Sequence, residues 1–377
     1  MSDRPALQGR PSAWHRPLWY LNILLAVVML LMYASIHVRP STFWPAALLV
    51  MGYPFLLVLL FASIAWWAVF RRKRALLSIA VLLIGWSHVG DYIQLFGRQG
   101  TEAQQAEALK VMSYNVRLFD LYNWSHNANT RNEIFDLIRV EDPDILCLQE
   151  FFNADDRKYF VTRDTLIEDF RFTGIHDVYT QHTKYGHHFG IATLSTHPIV
   201  GRGAIEFPDE LNNLCIWTDI RVKDDTLRVY NAHLASIRFG DADYRWMKDL
   251  DTDTRRDSLK SGSTRIVKRL RDAFIRRADE VERIVAHMRE SPHPVLYCGD
   301  LNDTPMSYSY HTMRKAGLSD AFVESGRGVG HTYIGDFPSF RIDHILHGPE
   351  LESLDFRTLP DELSDHHPIT CLIRPLR

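Results

Sequence analysis

Long uncharged apolar runs are confined to the first hundred residues, and they constrain the fold of this part of the 377-residue chain more than any other feature. The runs 18–36, 43–70 and 75–90 contain no Asp, Glu, Lys or Arg. A helix that spans a membrane needs about 20 predominantly apolar residues, with about 17 as the lower limit. The first two runs therefore predict spanning helices. The third predicts one if its helix continues past Asp91 to residue 96, with Asp91 in the interfacial zone.

A cleaved signal peptide is the alternative for the first run, because Arg4, Arg10 and Arg16 precede it. A secretory signal also requires a cleavage site of small residues after the apolar segment. No such site follows, and a second apolar run comes directly afterwards. The pattern favours a retained anchor in residues 1–100, with spans at about 18–36, 43–70 and 75–96.

Four consecutive basic residues at 71–74 predict the orientation of this anchor. Short loops rich in Lys and Arg stay in the cytoplasm, so the 71–74 cluster should be cytoplasmic. Two spans would leave the rest of the chain in the cytoplasm, whereas three would place it on the other side. We expect three spans, hence an integral protein of the inner or plasma membrane whose larger part lies on the non-cytoplasmic side.

Charge divides the chain at the same place as hydrophobicity. Residues 1–107 carry a net charge of +5 and the remainder carries −8. A general nucleic-acid binder usually has a basic surface, so the acidic balance argues mildly against that class of partner. Four cysteines (Cys147, Cys215, Cys298 and Cys371) form no C-x-x-C pair, and three stand in apolar runs. They are expected to be small buried core residues.

The remainder, residues 109–377, alternates between strand and helix patterns, which predicts an α/β domain of stacked sheets with helices outside. Helical spacing of apolar residues occurs over 132–140 and over 263–289. Strand patterns occur at 110–115, 145–148, 190–195, 214–222, 227–234, 295–298, 342–346 and 368–373.

Polar side chains follow several of these strands, at the positions where a rigid metal or phosphate site would be built. Glu150 and Asp365 adjoin apolar strands, and carboxylate oxygens are the ligands that Mg²⁺ prefers. Alternation places Asp300 and Asn302 on one face, where a carboxylate could activate water and an amide could hold a phosphoryl oxygen. Solvated surface carboxylates and an Asx-rich turn are the structural alternatives.

Two histidines and an aspartate complete this set of candidates. His233 ends one strand and His366 precedes the last one, and an imidazole with a pKa near 6.5 is suited to proton transfer. Asp343 could orient such an imidazole, as the carboxylate of a catalytic triad does. Because the chain contains 18 histidines, isolated ones are more often structural or surface groups.

Six short blocks occur in an order that resembles the endonuclease/exonuclease/phosphatase superfamily, over about residues 109–377. The blocks are Ser-Tyr-Asn-Val (113–116), Leu-Gln-Glu (148–150), Asn-Ala-His-Leu (231–234), Gly-Asp-Leu-Asn-Asp (299–303), Arg-Ile-Asp-His (341–344) and Ser-Asp-His-His-Pro (364–368). The resemblance implies a two-sheet β-sandwich flanked by helices, in four layers α/β/β/α. It also implies a metal-dependent hydrolase of phosphate esters, with Mg²⁺ as the cofactor and Mn²⁺ as the alternative.

The resemblance also implies a role for each matching residue. It assigns the metal environment to three residues, Asn115, Glu150 and Asp365, with Glu150 as the principal ligand. It assigns the chemistry to five residues, His233, Asp300, Asn302, Asp343 and His366. Asp300 would activate the attacking water, and Asn302 would hold the phosphoryl oxygen. His366, oriented by Asp343, would neutralise the phosphate, and His233 would be the acid for the leaving group. His367 stands at the variable position of its block and is expected to be non-catalytic, and Asp303 is expected to be structural.

Substrate contacts are expected from Arg117 and Asn231. Abasic-site endonucleases carry an acidic residue where Arg117 stands and lack the histidine at 233, which moves the resemblance towards deoxyribonucleases, sphingomyelinases and phosphoinositide phosphatases. Arg117 could bind substrate phosphate or pair with a surface carboxylate.

The membrane anchor favours a phosphodiester of a lipid or headgroup as the substrate. A membrane-tethered nuclease acting on DNA or RNA and a non-enzymatic interaction module are the alternatives. The segment 236–262 and the basic stretch 255–277 could form a lid that meets headgroups, or a solvated loop and helix face.

Overall fold

The computed structural model describes residues 15–156, 159–207, 213–237, 256–335 and 340–376. Its first part is helical. Pro or Gly stands at most of the breaks between the helices; Pro cannot donate the backbone hydrogen bond that a helix interior requires. The helices are α1 (His15–Ser35), α2 (Pro40–Phe43), α3 (Pro45–Val50), α4 (Tyr53–Phe70), α5 (Arg72–Ile84) and α6 (Trp86–Gly90).

Helices α1, α4 and α5 form an up-down-up bundle. At one end, the guanidinium of Arg74 in α5 lies over the rings of Trp19 in α1 and Trp67 in α4, at 5.0 and 4.9 Å. At the other end, Tyr33 of α1 stacks on His88 of α6, with ring centroids 5.5 Å apart. The first contact joins the beginning of α1 to the beginning of α5, and the second joins the end of α1 to α6. α1 therefore runs parallel to the α5–α6 segment, and α4 runs antiparallel to both.

A small polar cluster lies midway along the bundle. The Oδ1 atom of Asn22 accepts hydrogen bonds from the hydroxyls of Ser63 (2.6 Å) and Ser78 (2.7 Å). Asn22 and Ser78 are buried, at 3% and 0% exposure. Hydrogen bonds of this kind between buried side chains hold neighbouring helices together. Each of the three long helices contributes one residue, so the cluster fixes how far the helices are shifted relative to one another along the bundle axis.

The helix bounds differ from those expected of the apolar runs. The run 43–70 is divided between α3 and α4, which meet at Met51 and Gly52. The third run breaks at Gly85, its helix ends at Gly90 instead of residue 96, and the chain continues into β1 (Ile93–Gln94). Within the described residues, α1 and α4 are the helices long and apolar enough to cross a membrane.

The larger part contains two six-stranded sheets, and β1 pairs separately with β11 (Gly328–Val329). The first sheet has the order β13 (Leu351–Thr358), β14 (Ile369–Pro375), β2 (Leu109–Asn115), β3 (Ile145–Ala154), β5 (His187–Ser195) and β4 (Gly174–His182). The second has the order β10 (Ser319–Asp320), β12 (Asp343–His347), β9 (Val295–Asp300), β8 (Asp225–His233), β7 (Leu214–Val222) and β6 (Ile199–Ile205).

Helices cover the outer faces of both sheets, which gives the expected mixed α/β fold of two sheets flanked by helices. The helices of this part are α7 (Glu102–Glu107), α8 (Thr130–Glu141), α9 (Thr162–Glu168), α10 (Arg256–Arg289), α11 (Tyr308–Lys315) and α12 (Ala321–Ser325). α8 and α9 pack on the first sheet. α10 and α11 pack on the second. The core between the sheets contains Cys147, Cys298 and Cys371. All four cysteines are buried and free, as expected of core residues.

The larger part is docked on the end of the bundle that carries Tyr33 and His88. Arg39, between α1 and α2, forms ion pairs with Asp279 (2.6 Å) and Glu282 (2.9 Å) of α10. Met306 is packed in the hydrophobic cluster of the bundle. The 71–74 basic cluster lies at the opposite end, since Arg74 packs there on Trp19.

Candidate active site

Three of the expected site residues are neighbours across the second sheet. β8 runs parallel to β9 with His233 opposite Asp300, and β12 runs antiparallel to β9 with Asp343 opposite Asp300. Adjacent strands lie about 4.8 Å apart, so this register alone brings the three side chains together. Gly299 allows the close approach, because a Cβ there would lie 2.2 Å from the carbonyl oxygen of Ala232.

The first sheet contributes Asn115 and Glu150 from its parallel pair, β2 and β3. The register between β3 and β5 shifts between Leu148 and Phe151, which marks a β-bulge around Glu150. Glu150 has a φ of 48°, a left-handed conformation that is uncommon for a residue other than glycine. A bulge re-aims a side chain, and here it directs Glu150 into the cleft where the two sheets end.

The two sets of side chains meet in one cleft. Nε2 of His233 lies 3.7 Å from Glu150 Oε1 and 3.7 Å from Asp300 Oδ2. The amide of Asn115 donates to Asp300 Oδ2 at 3.2 Å and to Glu150 Oε1 at 3.5 Å. Burial raises the pKa of Glu150, and the nearby Asp365 raises it further. The cleft therefore holds carboxylates that repel one another, which is the electrostatic setting that a cation would relieve.

His366 is paired with Asp343 as expected. Its Nδ1 lies 2.8 Å from Asp343 Oδ2, while its Nε2 lies 3.8 Å from Asp300 Oδ2. Burial by itself would lower the pKa of His366, but Asp343 and Asp300 favour the imidazolium and raise the pKa to about 10. The ring of Tyr333 packs edge-on against the imidazole at 5.3 Å. His366 is thus held in one orientation as a cation.

Asp300 is fully buried at the centre of the site. Burial and the neighbouring Asp343 raise its pKa to about 6, while His366 and His233 act in the opposite direction. Asn302 donates to it twice, through its backbone N (2.7 Å to Oδ1) and its Nδ2 (3.2 Å to Oδ2). A carboxylate with a pKa near neutrality is suited to accept a proton from water.

Asn302 has a different environment from the one expected. Its Nδ2 also donates to the carbonyl oxygen of Leu234, at 3.0 Å. Both amide hydrogens are therefore directed to protein acceptors, and the geometry fits positioning of Asp300. A contact with a phosphoryl oxygen would require Asn302 to release Leu234.

Arg117 and Asp365 lie at the rim of the cleft. Arg117 Nε is 3.4 Å from Asp365 Oδ2, and its guanidinium lies 4.6 Å from the ring centroid of Trp124. Ser364 donates to the carbonyl oxygen of Asn115, which holds the Asp365 loop against β2. Of the two expected roles, Arg117 thus adopts pairing with a carboxylate. This carboxylate is Asp365, which belongs to the site.

Asn231 lies between the two sheets and not in the cleft, contrary to the expected substrate contact. It is fully buried, donates to Leu148 O (3.3 Å) and Ala192 O (2.9 Å), and accepts from Gln149 Nε2 (2.8 Å). It therefore joins the first sheet to the second.

Asp303 and His367 occupy structural positions, as expected. Asp303 accepts from Ser309 and faces Arg277, at 3.1 and 3.7 Å. His367 contacts the carbonyl oxygen of Asp361 at 3.2 Å. Most of the segment 236–262, expected as a lid or a mobile loop, lies outside the described residues.

The donor set fits a hard divalent cation. Carboxylates converge on the cleft from both sheets, and oxygen ligands are what Mg²⁺ and Mn²⁺ take. Ligand atoms of Asp300, Asp343 and His366 also lie within 4.8 Å of one another, but His366 as an imidazolium does not bind a cation, so this group is distinct from the metal environment expected at Asn115, Glu150 and Asp365. Asp343 Oδ1 is buried with no hydrogen-bond partner among the described residues, although such acceptors are normally paired.

Tyr333 is a cleft residue that the sequence patterns did not reveal. It forms an isolated bridge with His366 and lines the cavity beside it. The residues around it show neither strand alternation nor helical spacing, and an aromatic residue in such a segment gives no signal by itself.

A sandwich whose sheets end in carboxylates, amides and imidazoles defines a metal-dependent hydrolase of phosphate esters. Residues 112–366 match the Endonuclease/Exonuclease/phosphatase family, and the chain belongs to this family. Residues 15–92 match a separate family, described as a domain of unknown function. A comparison with curated proteins found no match.

Solved structures share the fold at low sequence identity. The catalytic domain of human Nocturnin with bound sulfate aligns with a TM-score of 0.52 at 18% identity, over 72% of this chain and 94% of that one. A family protein from Bacteroides thetaiotaomicron aligns with a TM-score of 0.50 at 18% identity, over 71% and 98%. One from Beutenbergia cavernae gives 0.50 at 16%, over 71% and 72%. These likenesses support the fold.

Proposed function

We propose that the protein is a membrane-anchored, Mg²⁺-dependent phosphodiesterase that hydrolyses a phosphodiester of a lipid or its headgroup. The observation that supports this most directly is the convergence of Glu150, Asp300, His233 and His366 in one cleft. Family membership supplies the reaction class, and the apolar helices ahead of the domain favour a substrate in the membrane. The charge of −8 over the part of the chain after residue 107 disfavours a nuclease.

Glu150 would be the principal metal ligand, with Asn115 and Asp365 completing the metal environment. A bound Mg²⁺ supplies charge neutralisation and Lewis acidity at the phosphoryl group. Asp300, held by Asn302 and with its pKa raised to about 6, would align the attacking water and take its proton. His366 would contact the phosphoryl oxygens as a cation, because Asp343 keeps it protonated. His233 would give a proton to the leaving oxygen.

The anchor proposal rests on the helical bundle. Helices α1 and α4 have the length and hydropathy of membrane spans. Many of their large apolar residues face outward; Tyr20, Val58 and Val69 are each more than 60% exposed. The larger part is docked on the end of the bundle opposite the 71–74 basic cluster. If that cluster is cytoplasmic, α5 and α6 complete a third crossing and the catalytic domain lies on the non-cytoplasmic side.

The test uses the full chain in detergent with Mg²⁺ or Mn²⁺. Candidate substrates are sphingomyelin, phosphoinositides, single- and double-stranded DNA, and bis-p-nitrophenyl phosphate. We expect metal-dependent hydrolysis of lipid phosphodiesters, lost in Asp300→Ala and retained in Asp136→Ala, whose side chain is 70% exposed. Hydrolysis of DNA in preference to every lipid would favour the nuclease. Activity on nothing, or activity that survives Asp300→Ala, would overturn the enzymatic proposal.

A further inference from the structure

The cavity that contains Asp300 and His366 continues beyond them along an apolar wall. Its volume is about 320 Å³, within the range of small-molecule binding sites. Six apolar residues on this side of the cavity are Met51, Ile237, Ile266, Leu270, Phe274 and Phe340. Arg277 and Asp303 also line this cavity, and we refer to the part formed by the six apolar residues as its apolar end.

The apolar wall comes mainly from one face of α10. Ile266, Leu270 and Phe274 are spaced four residues apart, so they align along the helix. Leu270 and Phe274 are buried, at 8% and 2% exposure, and Ile266 is half-buried. Water cannot form hydrogen bonds with such a wall. An aliphatic chain that displaces this water is stabilised by about 0.8 kcal/mol for each methylene that it buries.

The same wall reaches the membrane anchor. Met51, at the junction of α3 and α4, lines the cavity although it belongs to the bundle. Phe55 follows one helical turn later on α4 and is 56% exposed. α10 is fixed on the bundle by the ion pairs of Arg39 with Asp279 and Glu282. The apolar end of the cavity therefore includes one residue of the bundle, and an exposed apolar residue of α4 follows it in the chain.

We propose that this apolar end binds the aliphatic chain of the substrate, so that the enzyme takes a chain-bearing phosphate ester from the bilayer in which it is anchored. The chain lies along Ile266, Leu270 and Phe274, and the phosphate lies beside His366 at the charged end of the cavity. Met51 marks the side from which the chain enters. The inference rests on the proposed phosphodiesterase activity and adds a subsite and a substrate class to it.

The experiment compares methyl and hexyl p-nitrophenyl phosphate as substrates of the full chain in phosphatidylcholine nanodiscs. The measured quantity is the ratio of kcat/KM for the hexyl ester to that for the methyl ester. From the burial of several methylenes, we expect a ratio of about tenfold or more in the unaltered protein. Ile266→Gln, which makes the wall polar, and Ile266→Trp, which fills it, should both bring the ratio close to one.

Ile275→Gln is the matched control, because Ile275 is a half-buried residue of the same helix outside the cavity lining. It should keep the ratio of the unaltered protein, which separates the subsite from general effects on α10 and from partitioning into the nanodisc. If Ile266→Gln does not fold, Ile266→Trp decides. A ratio near one in the unaltered protein, or one unchanged in a folded Ile266 variant, overturns the subsite and leaves the phosphodiesterase standing. Hydrolysis of neither ester overturns both.

Discussion

At the scale of single residues, the site is built on unusual backbone conformations. Arg117, Glu150 and Asn302 have φ values of 42°, 48° and 51°. Each left-handed residue that is not glycine costs about 1–3 kcal/mol, and the surrounding structure must hold it there. All three adjoin the cleft, so part of the backbone strain lies where side chains from separate strands have to meet.

Replacing Asp343 with Asn tests the pairing with His366. The raised pKa of His366 means that the imidazolium persists up to about pH 10 and is lost above it. Without the Asp343 charge this pKa falls, so activity that needs the imidazolium should be lost at a lower pH. We expect kcat to fall by about 10²–10⁴. The measurement is the pH profile of bis-p-nitrophenyl phosphate hydrolysis in Asp343→Asn.

The control is Asp136→Asn, a change of the same charge on the exposed face of α8. It should leave both kcat and the alkaline limb unchanged. An Asp343→Asn variant with the pH profile of the unaltered protein would contradict the proposed role of the pair.

Glu150→Gln tests the metal ligand without relying on activity. The amide keeps the shape of the side chain but removes the charge that a divalent cation requires. Isothermal titration of Mn²⁺ into the full chain in detergent should show binding weakened by about tenfold or more. Glu168→Gln, on the exposed end of α9, should bind Mn²⁺ as the unaltered protein does. Equal affinity in both variants would remove Glu150 from the metal site.

At the scale of elements, a buried ion pair lies where the second sheet meets the helical bundle. Asp320 and Arg341 are 0% and 3% exposed, and Arg341 Nη1 donates to Asp320 Oδ2 at 2.8 Å. Arg341 Nε also donates to the carbonyl oxygen of Asp91, just after α6. The Arg-Ile-Asp-His block therefore contributes Asp343 to the site and Arg341 to the docking of the domain on the bundle.

Asp320→Asn should destabilise the protein by about 3–5 kcal/mol, because it leaves the buried Arg341 cation without its partner. Although burial opposes it, Arg341 holds the pKa of Asp320 below its usual range. The stabilisation is therefore present above the unfolded pKa of about 3.9 and is lost as the pH falls below it. Chemical denaturation in detergent at neutral and acidic pH measures both effects.

The double variant Asp320→Asn with Arg341→Met is the control for this pair. It removes both charges, so it should recover much of the stability lost by the single variant. A single variant as stable as the unaltered protein, or a double variant no better than the single one, would argue against the pair.

Elements with a continuous apolar pattern could be predicted from the sequence, and those governed by pairing could not. The core strands β2, β3, β8 and β9 and the helix α10 followed from their apolar residues. β4, β6 and β13 were not predicted, because polar and small residues interrupt their apolar pattern; in β13 two of these, Glu352 and Ser353, are buried. The Glu150 bulge was also missed, since its cause is the register against β5 and not a local motif.

The same distinction applies to the site. Strand ends and block order predicted His233, Asp300, Asp343 and His366, because each stands at or beside the end of an apolar strand pattern. The burial of Asn231 between the sheets was not predicted, because it depends on how the two sheets stack. A single-strand pattern contains no information on that packing.

At the scale of the whole molecule, the docking of the catalytic domain fixes the position of the cleft relative to the helical bundle. The cleft opens beside Met51, and the 71–74 basic cluster lies at the far end of the bundle. If the bundle spans the membrane, these two ends lie on opposite sides of it. The substrate would then be a lipid of the outer leaflet, which the catalytic domain faces.

Cysteine accessibility in intact cells tests this topology. Burial raises the pKa of Cys215 and Cys371, and all four native cysteines are buried, so background labelling by a membrane-impermeant maleimide should be low. Lys184→Cys, exposed on the catalytic domain, should be labelled in intact cells, whereas Lys73→Cys should be labelled only after lysis. The unaltered chain is the control for background. Labelling of Lys73→Cys in intact cells would show that the orientation is the reverse of the proposed one. Protection of both positions would mean that α5 and α6 do not cross the membrane.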